Sequence, residues 1–427
     1  MKETIELFRE ITDIPRCSRN RDKIKEYLTS FAKNCGYEVE IDSFDNILCF
    51  KGSPKICFQA HYDMVCIGKN RIKIVEVDGF LKAKNGTSLG ADNGIAMAMM
   101  LKAMQNHSDI EFLFTSDEEI GLIGATNLEL KIKSNKILNL DSEDENHITI
   151  GCAGGFDISA DFVPEYKKIE SDEIFYEIVA KEFSGGHSGA DIDKHIKNAI
   201  KEAGFLLNSL ENFKLIKIEG GEARNSIAKH LNIIISSKDS LSIEHENFEL
   251  NRIDANYENY IENQEELIEL LVALPIGVLG FDKKIDSVVS SLNFGIIKDK
   301  SPYIELSLMG RANHNEDLKK LMLQTTALLK LAKCENIEIL DDYPAWNPEN
   351  SEFSEFVKKV YNETLGFGTF QVIHAGLECG ILKGKFENVD IVSIGPNINY
   401  PHSSKEEVEL KSVENILRVV EAILDRI

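Results

Sequence analysis

Residues 55–63 read Lys-Ile-Cys-Phe-Gln-Ala-His-Tyr-Asp, an apolar run that passes straight into a histidine and an aspartate. Lys55–Ala60 has the length and composition of a buried strand, and His61-Tyr62-Asp63 falls at its carboxyl end. The pattern returns downstream. Thr115-Ser116-Asp117-Glu118-Glu119 closes a strand at Ile110–Thr115, and Asn139-Leu140-Asp141-Ser142-Glu143-Asp144 closes another at Lys136–Leu140. Leu89-Gly90-Ala91-Asp92-Asn93-Gly94 immediately precedes the nearly all-apolar Ile95–Met104, which reads as a buried helix. Strands alternating with helices predict an α/β layer on a mainly parallel sheet, and sites in such sheets form outside the carboxyl ends of the strands. The four polar clusters are therefore expected to end neighbouring strands and to converge on one crevice.

Outward from this block the pattern predicts an amphipathic helix up to about Pro15, a second from Asp22 to a stop at Gly36, and strands at Tyr37–Ile41 and Ile47–Lys51. After Gly151-Cys152-Ala153-Gly154-Gly155 the character changes. Strand-like Glu173–Phe183, Phe213–Ile218, His230–Ser236, Val288–Phe294 and Tyr303–Leu308 alternate with helical segments ending near Leu210 and spanning Glu316–Ala332. This middle block reads as an α+β unit inserted into the first domain. Strand Val389–Ser393 and helix Val413–Arg426 then restore the α/β pattern. The expected division is a discontinuous catalytic domain, 1–155 and 343–427, around an inserted domain, 156–342.

Composition narrows the function. The chain has 427 residues, enough for two cores, and a formal charge of -23, which argues against nucleic acid as a partner. The longest apolar run, Leu270–Phe281, is interrupted by Pro275 and is too short for a bilayer. The charged amphipathic start carries no secretory signal core, so a cytoplasmic location and no membrane partner are expected. The eight cysteines contain no C-x-x-C pair and are expected to be reduced core residues.

Each acidic cluster alone reads more readily as a solvated turn. Their convergence changes the reading: four acidic groups drawn together without cations would repel and push their carboxyl pKa values upward. Divalent metal removes the conflict. Histidine and carboxylate ligands without thiolate suit catalytic zinc, with cobalt or manganese as alternatives. Two such ions share a bridging carboxylate and acidify water, and a neighbouring glutamate that binds no metal relays the proton.

These motifs resemble the dinuclear-zinc exopeptidases related to carboxypeptidase G and acetylornithine deacetylase. The glycine-rich Ile150–Gly155, His374-Ala375-Gly376-Leu377-Glu378-Cys379-Gly380 and Ile394-Gly395-Pro396 are similar to the aminoacyl-histidine dipeptidase, or peptidase D, branch of that family. The resemblance spans nearly the whole chain. It implies that Asp92 bridges two metals, one also held by His61 and Asp141, the other by Glu119 and His402. It implies Glu118 as general base and acid, Asp63 orienting His61, and His187 as an oxyanion donor from a lid domain that also forms a homodimer. Asn225 and Arg311 are implied in substrate binding and Glu378 in holding a free α-amino group, against a buried structural role for the same glutamate. The stretches Asn397–Tyr400 and Arg311–His314 depart from the expected pattern and bear on substrate preference.

The implied activity is hydrolysis of dipeptides with a free amino terminus. An N-acyl amino acid deacylase using the same ions is the alternative within hydrolases, and a non-catalytic peptide-binding protein is the alternative outside them. The intact set of ligands with Glu118 speaks against the last, and the branch-specific segments against the deacylase.

Overall fold

The computed structural model describes residues 1–427 except 69–70, 171, 284 and 387. The chain divides into two units, one of residues 1–152, 348–372 and 377–427, the other of residues 153–347 and 373–376.

In the first unit the strands at Ile56–His61, Ile110–Thr115 and Lys136–Asn139 are buried almost throughout, the signature of strands covered on both faces. They lie side by side in parallel, and Asp390–Ser393 adds a fourth parallel strand beside Lys136–Asn139. Ile47–Phe50 and Glu38–Ile41 extend the sheet antiparallel on one flank, and His147–Cys152 and Thr369–Ile373 complete eight strands on the other. The mainly parallel sheet thus forms the middle of this unit, with antiparallel edges.

Helix Ala91–Asn106 is apolar all round and buried on nearly every residue, as expected of a helix enclosed by protein. It packs on helix Lys2–Thr12 and on the closing helix Leu410–Leu424, whose own apolar stripes face inward. Gly94 is required at the first contact. A Cβ there would lie 2.9 Å from the Phe8 ring and 2.7 Å from Arg16 Nη2. Gly36, at φ +79°, ends the second helix, Asp22–Asn34, where a left-handed residue is needed.

The second unit is α+β. A nine-stranded antiparallel sheet carries Ile304–Ala312 between Ser287–Asp299 and Gly154–Phe162. Helices Ala199–Ser209, Gln264–Ala273 and Asn315–Leu331 close one core over it, built on Phe156, Ile178, Leu207, Ile233, Leu271, Phe294 and Leu308. The Leu270–Phe281 run divides at Pro275 into the end of helix Gln264–Ala273 and strand Gly277–Asp282. Among the described residues no helix is long and apolar enough to cross a membrane.

Two expectations need correction. The Leu89–Gly94 cluster does not end a strand of the large sheet. It follows hairpin Ile74–Val77 and Phe80–Ala83, which pairs with Glu407–Glu409 in a separate four-stranded sheet. The cysteines are not all reduced either, because Cys17 and Cys66 form a disulfide. Cys17 bridges Met64, and the Met64 amide donates to the Arg16 carbonyl at 3.1 Å, which brings the two cysteine Cα atoms to 5.5 Å. A separation of 49 residues concealed that proximity. Of the other six cysteines, five are buried.

Candidate metal centre

His61 is the last residue of strand Ile56–His61, and the parallel register places it opposite Thr115, at the end of Ile110–Thr115. The chain therefore delivers His61 and the Asp117–Glu119 turn to the same edge. Asp141 follows the neighbouring strand Lys136–Asn139 by two residues. Asp92 comes from the entry to helix Ala91–Asn106, where it and Asn93 keep non-helical backbone angles. His402 arrives on a late loop at φ +55°. All five expected ligands meet.

Asp92 occupies the middle. Its Oδ1 lies 3.0 Å from His61 Nε2, and its Oδ2 lies 3.0 Å from His402 Nε2. His61 Nε2 is also 3.4 Å from Asp141 Oδ1, and His402 Nε2 is 2.8 Å from Glu119 Oε2. Each histidine thus shares Asp92 and has one carboxylate of its own. Glu118 joins them: its carboxylate, that of Glu119 and the His61 ring offer atoms all within 4.8 Å of one another.

The electrostatics are severe. Two carboxylates 4 Å apart repel by about 4 kcal/mol at an effective dielectric near 20. Burial, reinforced by Glu119, Asp141 and Glu378, holds the Glu118 carboxyl well above the usual range, and burial with Asp92 raises Glu119. Burial also raises Asp141. Burial alone would raise Asp92 as well, but hydrogen bonds from His402 and His61 carry it below the ordinary value. Hydrogen bonds to Asp92 and Glu119 lift His402 to about 11. Burial works against a charge on His61, yet Asp141, Asp63 and Asp92 together hold its pKa well above normal. The histidines act as stand-in cations in a cluster that lacks positive charge. Glu119 Oε1 is buried with no hydrogen-bond partner. Two imidazoles and three carboxylates, one of them with an unpartnered oxygen, fit two divalent cations.

Asp63 is fully buried beneath this set. Its Oδ1 lies 3.5 Å from His61 Nδ1 and accepts the Glu118 amide at 3.0 Å, while Oδ2 accepts the Ser18 hydroxyl at 2.7 Å and the Glu119 amide at 3.4 Å. One side chain therefore faces the His61 ring and accepts both amides of the turn that carries the glutamates. Asp117 anchors that turn from outside, accepting the Arg19 amide at 2.7 Å and pairing with Arg21.

Glu378 starts helix Glu378–Lys385 and is wholly buried. Its Oε2 accepts from Gln59 Nε2 and Thr115 Oγ1, both at 2.6 Å, and burial raises its pKa to about 7. Oε2 is thus tied to side chains of two neighbouring strands, while Oε1 is buried with no hydrogen-bond partner.

His187, Asn225 and Arg311 belong to the second unit. His187 lies in strand Gly186–His187, paired with Ser226–Ile227, so Asn225 adjoins it across the ladder. His187 Nδ1 accepts the amides of Gly189 and Ala190 at 3.2 and 3.1 Å, so a neutral ring carries its proton on Nε2. Arg311 is buried on strand Ile304–Ala312 and donates to the Tyr343 hydroxyl at 2.8 Å; its Nε has no hydrogen-bond partner. Asn225 is exposed, and its carbonyl accepts the Ser188 amide at 2.9 Å.

Sequence reasoning missed Arg16 and Glu406. Arg16 is buried in the first unit, donating to the carbonyls of Asp63 at 2.8 Å and of Gly90. Glu406 is 3% exposed and receives four backbone amides from residues 89–92. Neither sits in a motif that betrays it: Arg16 follows a proline in a polar linker, and Glu406 lies in the charged run Lys405-Glu406-Glu407.

Known proteins share this architecture. The model of the Peptidase family M20/M25/M40 matches residues 57–426. The cytosol non-specific dipeptidase of Escherichia coli K12 is 30% identical, over 99% of this chain and 97% of that protein. The crystal structure of aminoacylhistidine dipeptidase from Vibrio alginolyticus superposes with a TM-score of 0.86 at 28% identity, covering 100% of this chain and 96% of that one. The dipeptidase Dug1p of Saccharomyces cerevisiae shares the fold, with a TM-score of 0.56 at 14% identity over 99% and 95% of the two chains. With a family match across most of its length and histidine and carboxylate groups placed to hold metal ions, this chain belongs to Peptidase family M20/M25/M40 and is a metallopeptidase.

Proposed function

We propose that this metallopeptidase hydrolyses dipeptides with a free amino terminus, Xaa-His among them, using two divalent ions, zinc first. The observation that carries the reading is Asp92, whose two oxygens each face a different histidine, each histidine having a carboxylate of its own. In this reading His61, Asp92 and Asp141 hold one ion, and Asp92, Glu119 and His402 hold the other. Similarity to two dipeptidases along almost the entire chain supports the substrate class.

Ions bound there would acidify water and polarise the scissile carbonyl. The protein's own groups do the rest. Glu118, beside both half-sites, takes the proton of the attacking water. It then returns that proton to the amine as the carbon–nitrogen bond breaks. Asp63 keeps His61 and the glutamate turn aligned. His187 donates from Nε2 to the developing oxyanion, and Asn225 and Arg311 bind the peptide's polar ends. Glu378, fixed through Oε2 by Gln59 and Thr115 and with Oε1 unpartnered, receives the free α-amino group.

The 156–342 block is proposed as a lid and dimerisation domain, and the enzyme as cytoplasmic. In a reducing cytoplasm Cys17 and Cys66 would be adjacent thiols, which trapping free thiols at lysis would count.

The deciding experiment is a dipeptide panel with and without chelator, followed by metal add-back, with N-acetylated dipeptides alongside. Free dipeptides should be cleaved only by metal-loaded protein. Faster turnover of acetylated substrates would transfer the chain to the deacylases. Glu118→Gln should keep both ions and lose about 10²–10⁴-fold in kcat; near-normal turnover in a fully loaded variant would remove Glu118 from its role.

A further inference from the structure

We propose that Glu406 is a positioning residue of the metal centre, clamping the loop that carries Asp92 to the loop that carries His402. The inference rests on the reading of Asp92 and His402 as metal ligands. It adds a device for setting their separation.

The contact is unusual in its completeness. Glu406 Oε2 accepts the amides of Leu89 and Gly90 at 2.8 and 2.9 Å, and Oε1 accepts those of Ala91 and Asp92 at 2.7 and 3.2 Å. Four consecutive N–H groups thus converge on one carboxylate. The first turn of any helix leaves such donors without intrahelical partners, and here they sit at the buried start of helix Ala91–Asn106. An exposed acid would serve as an ordinary cap; one that is 3% exposed and saturated with backbone donors holds this loop in a single shape.

The opposite face of the same loop is also held. Arg16, itself buried, donates from Nη2 to the Gly90 carbonyl and from Nη1 to the Asp63 carbonyl at 2.8 Å. The loop's amides therefore face an acid and its Gly90 carbonyl faces a base. Gly90, at φ +72°, has no room for a side chain, since a Cβ would lie 2.6 Å from Arg16 Nη2 and 2.8 Å from the Met64 side chain.

Chain connectivity gives the clamp its consequence. Glu406 follows His402 by four residues and directly precedes strand Glu407–Glu409, which pairs with Phe80–Ala83, the strand leading into the Asp92 loop. Both ends of the late segment are thereby registered on the segment that supplies Asp92. Without Glu406, two ligands separated by 310 residues would be related only by the Glu407–Glu409 strand pairing, the His402–Glu119 contact and their contact with each other. Pre-arranging them lowers the ordering cost of binding an ion between Asp92, Glu119 and His402. The half-site of His61 and Asp141, built on adjacent strands, needs no such help. Glu406 accordingly governs occupancy of the His402 half-site.

The test is zinc titration of metal-stripped wild type and Glu406→Gln by calorimetry, with cobalt absorption spectra and steady-state kinetics beside it. The amide accepts through one oxygen and opposes the other pair of N–H groups with its own NH₂. The variant should bind one ion as wild type does and the second about 10–100-fold more weakly. At limiting zinc its kcat should fall while KM for the dipeptide holds within about twofold, and excess zinc should restore kcat. A variant with wild-type affinity for both ions overturns the clamp. Wild type that takes up fewer than two ions overturns the ligand reading as well, which separates the two failures. Hydrogen exchange of metal-free wild type decides the matter even if Glu406→Gln does not fold. The amides of residues 89–92 should be protected as well as those of residues 95–104, and fast exchange at 89–92 would refute the proposal.

Discussion

His61 enters the centre from a strand buried throughout its length and is 1% exposed, whereas His402 stands on a loop, its side chain 52% exposed. The partners of His61 are close in the fold: Asp63 two residues on and Asp141 just past an adjacent parallel strand. His402 depends on residues about 300 positions away, with its own loop fastened by Glu406. One half of the centre is a by-product of sheet packing, and the other is assembled afterwards from long-range contacts. The two ions should therefore differ in affinity, the His61 half filling first and emptying last.

Asp92→Ala is the harshest test, since it removes the ligand that both halves share. It should lose both ions and all measurable peptidase activity, read as metal content after desalting and as turnover. Retention of two ions would mean that Asp92 bridges nothing. Separating the halves comes next. His402→Ala should retain one ion per chain, and His61→Ala should retain less than one at the same free zinc. Graded chelation of wild type should remove zinc in two steps, with activity disappearing in the first. A single step, or equal retention by the two variants, would erase the asymmetry.

Asp63 bears only on the His61 half and on the glutamate turn. Asp63→Asn replaces one acceptor oxygen with a donor that faces either the Glu118 amide and His61 Nδ1 or the Glu119 amide and the Ser18 hydroxyl. A loss of about 10–100-fold in kcat or metal affinity is expected, as for other groups that orient a ligand from behind. Unchanged kcat and unchanged affinity for both ions would remove Asp63 from its aligning role.

How far sequence reading reached follows the same division. His61, Glu118, Glu119 and Asp141 were legible because strand periodicity places them at one sheet edge, and local pattern is what a single sequence displays best. The Leu89–Gly94 cluster was read correctly as a helix entry and wrongly as the end of a strand in that sheet, since a turn-rich segment does not reveal which sheet precedes it. His402 came only through family resemblance; Pro-His-Ser carries no signal of its own. Glu406, Arg16 and the Cys17–Cys66 pair were invisible, because their meaning lies in partners 40 to more than 300 positions away. Charged Lys405–Glu407 reads as solvated surface until the fold buries its middle residue.

His374 extends the comparison to the second unit. Carboxylates raise His402 to about 11, whereas burial, with Arg311 nearby, pushes His374 down to about 3. Its ring contacts Ser291 Oγ at 2.7 Å and Asn313 Oδ1 at 3.3 Å, and a hydrogen bond to the Val288 backbone offsets only part of the burial cost. Between pH 3 and the unfolded value near 6.5 the unfolded chain binds a proton here that the folded chain refuses, so stability rises with pH across that window. The contribution is complete above about pH 6.5 and is lost as pH falls toward 3. Taking pH 7.5 to pH 5 should cost wild type about 1–2 kcal/mol more than His374→Asn, a variant that cannot titrate at this position. Urea midpoints of the metal-free proteins at the two pH values measure the difference. Equal acid sensitivity in the two proteins would show that His374 titrates alike folded and unfolded, and that the neutrality assigned to this buried ring is not maintained in solution.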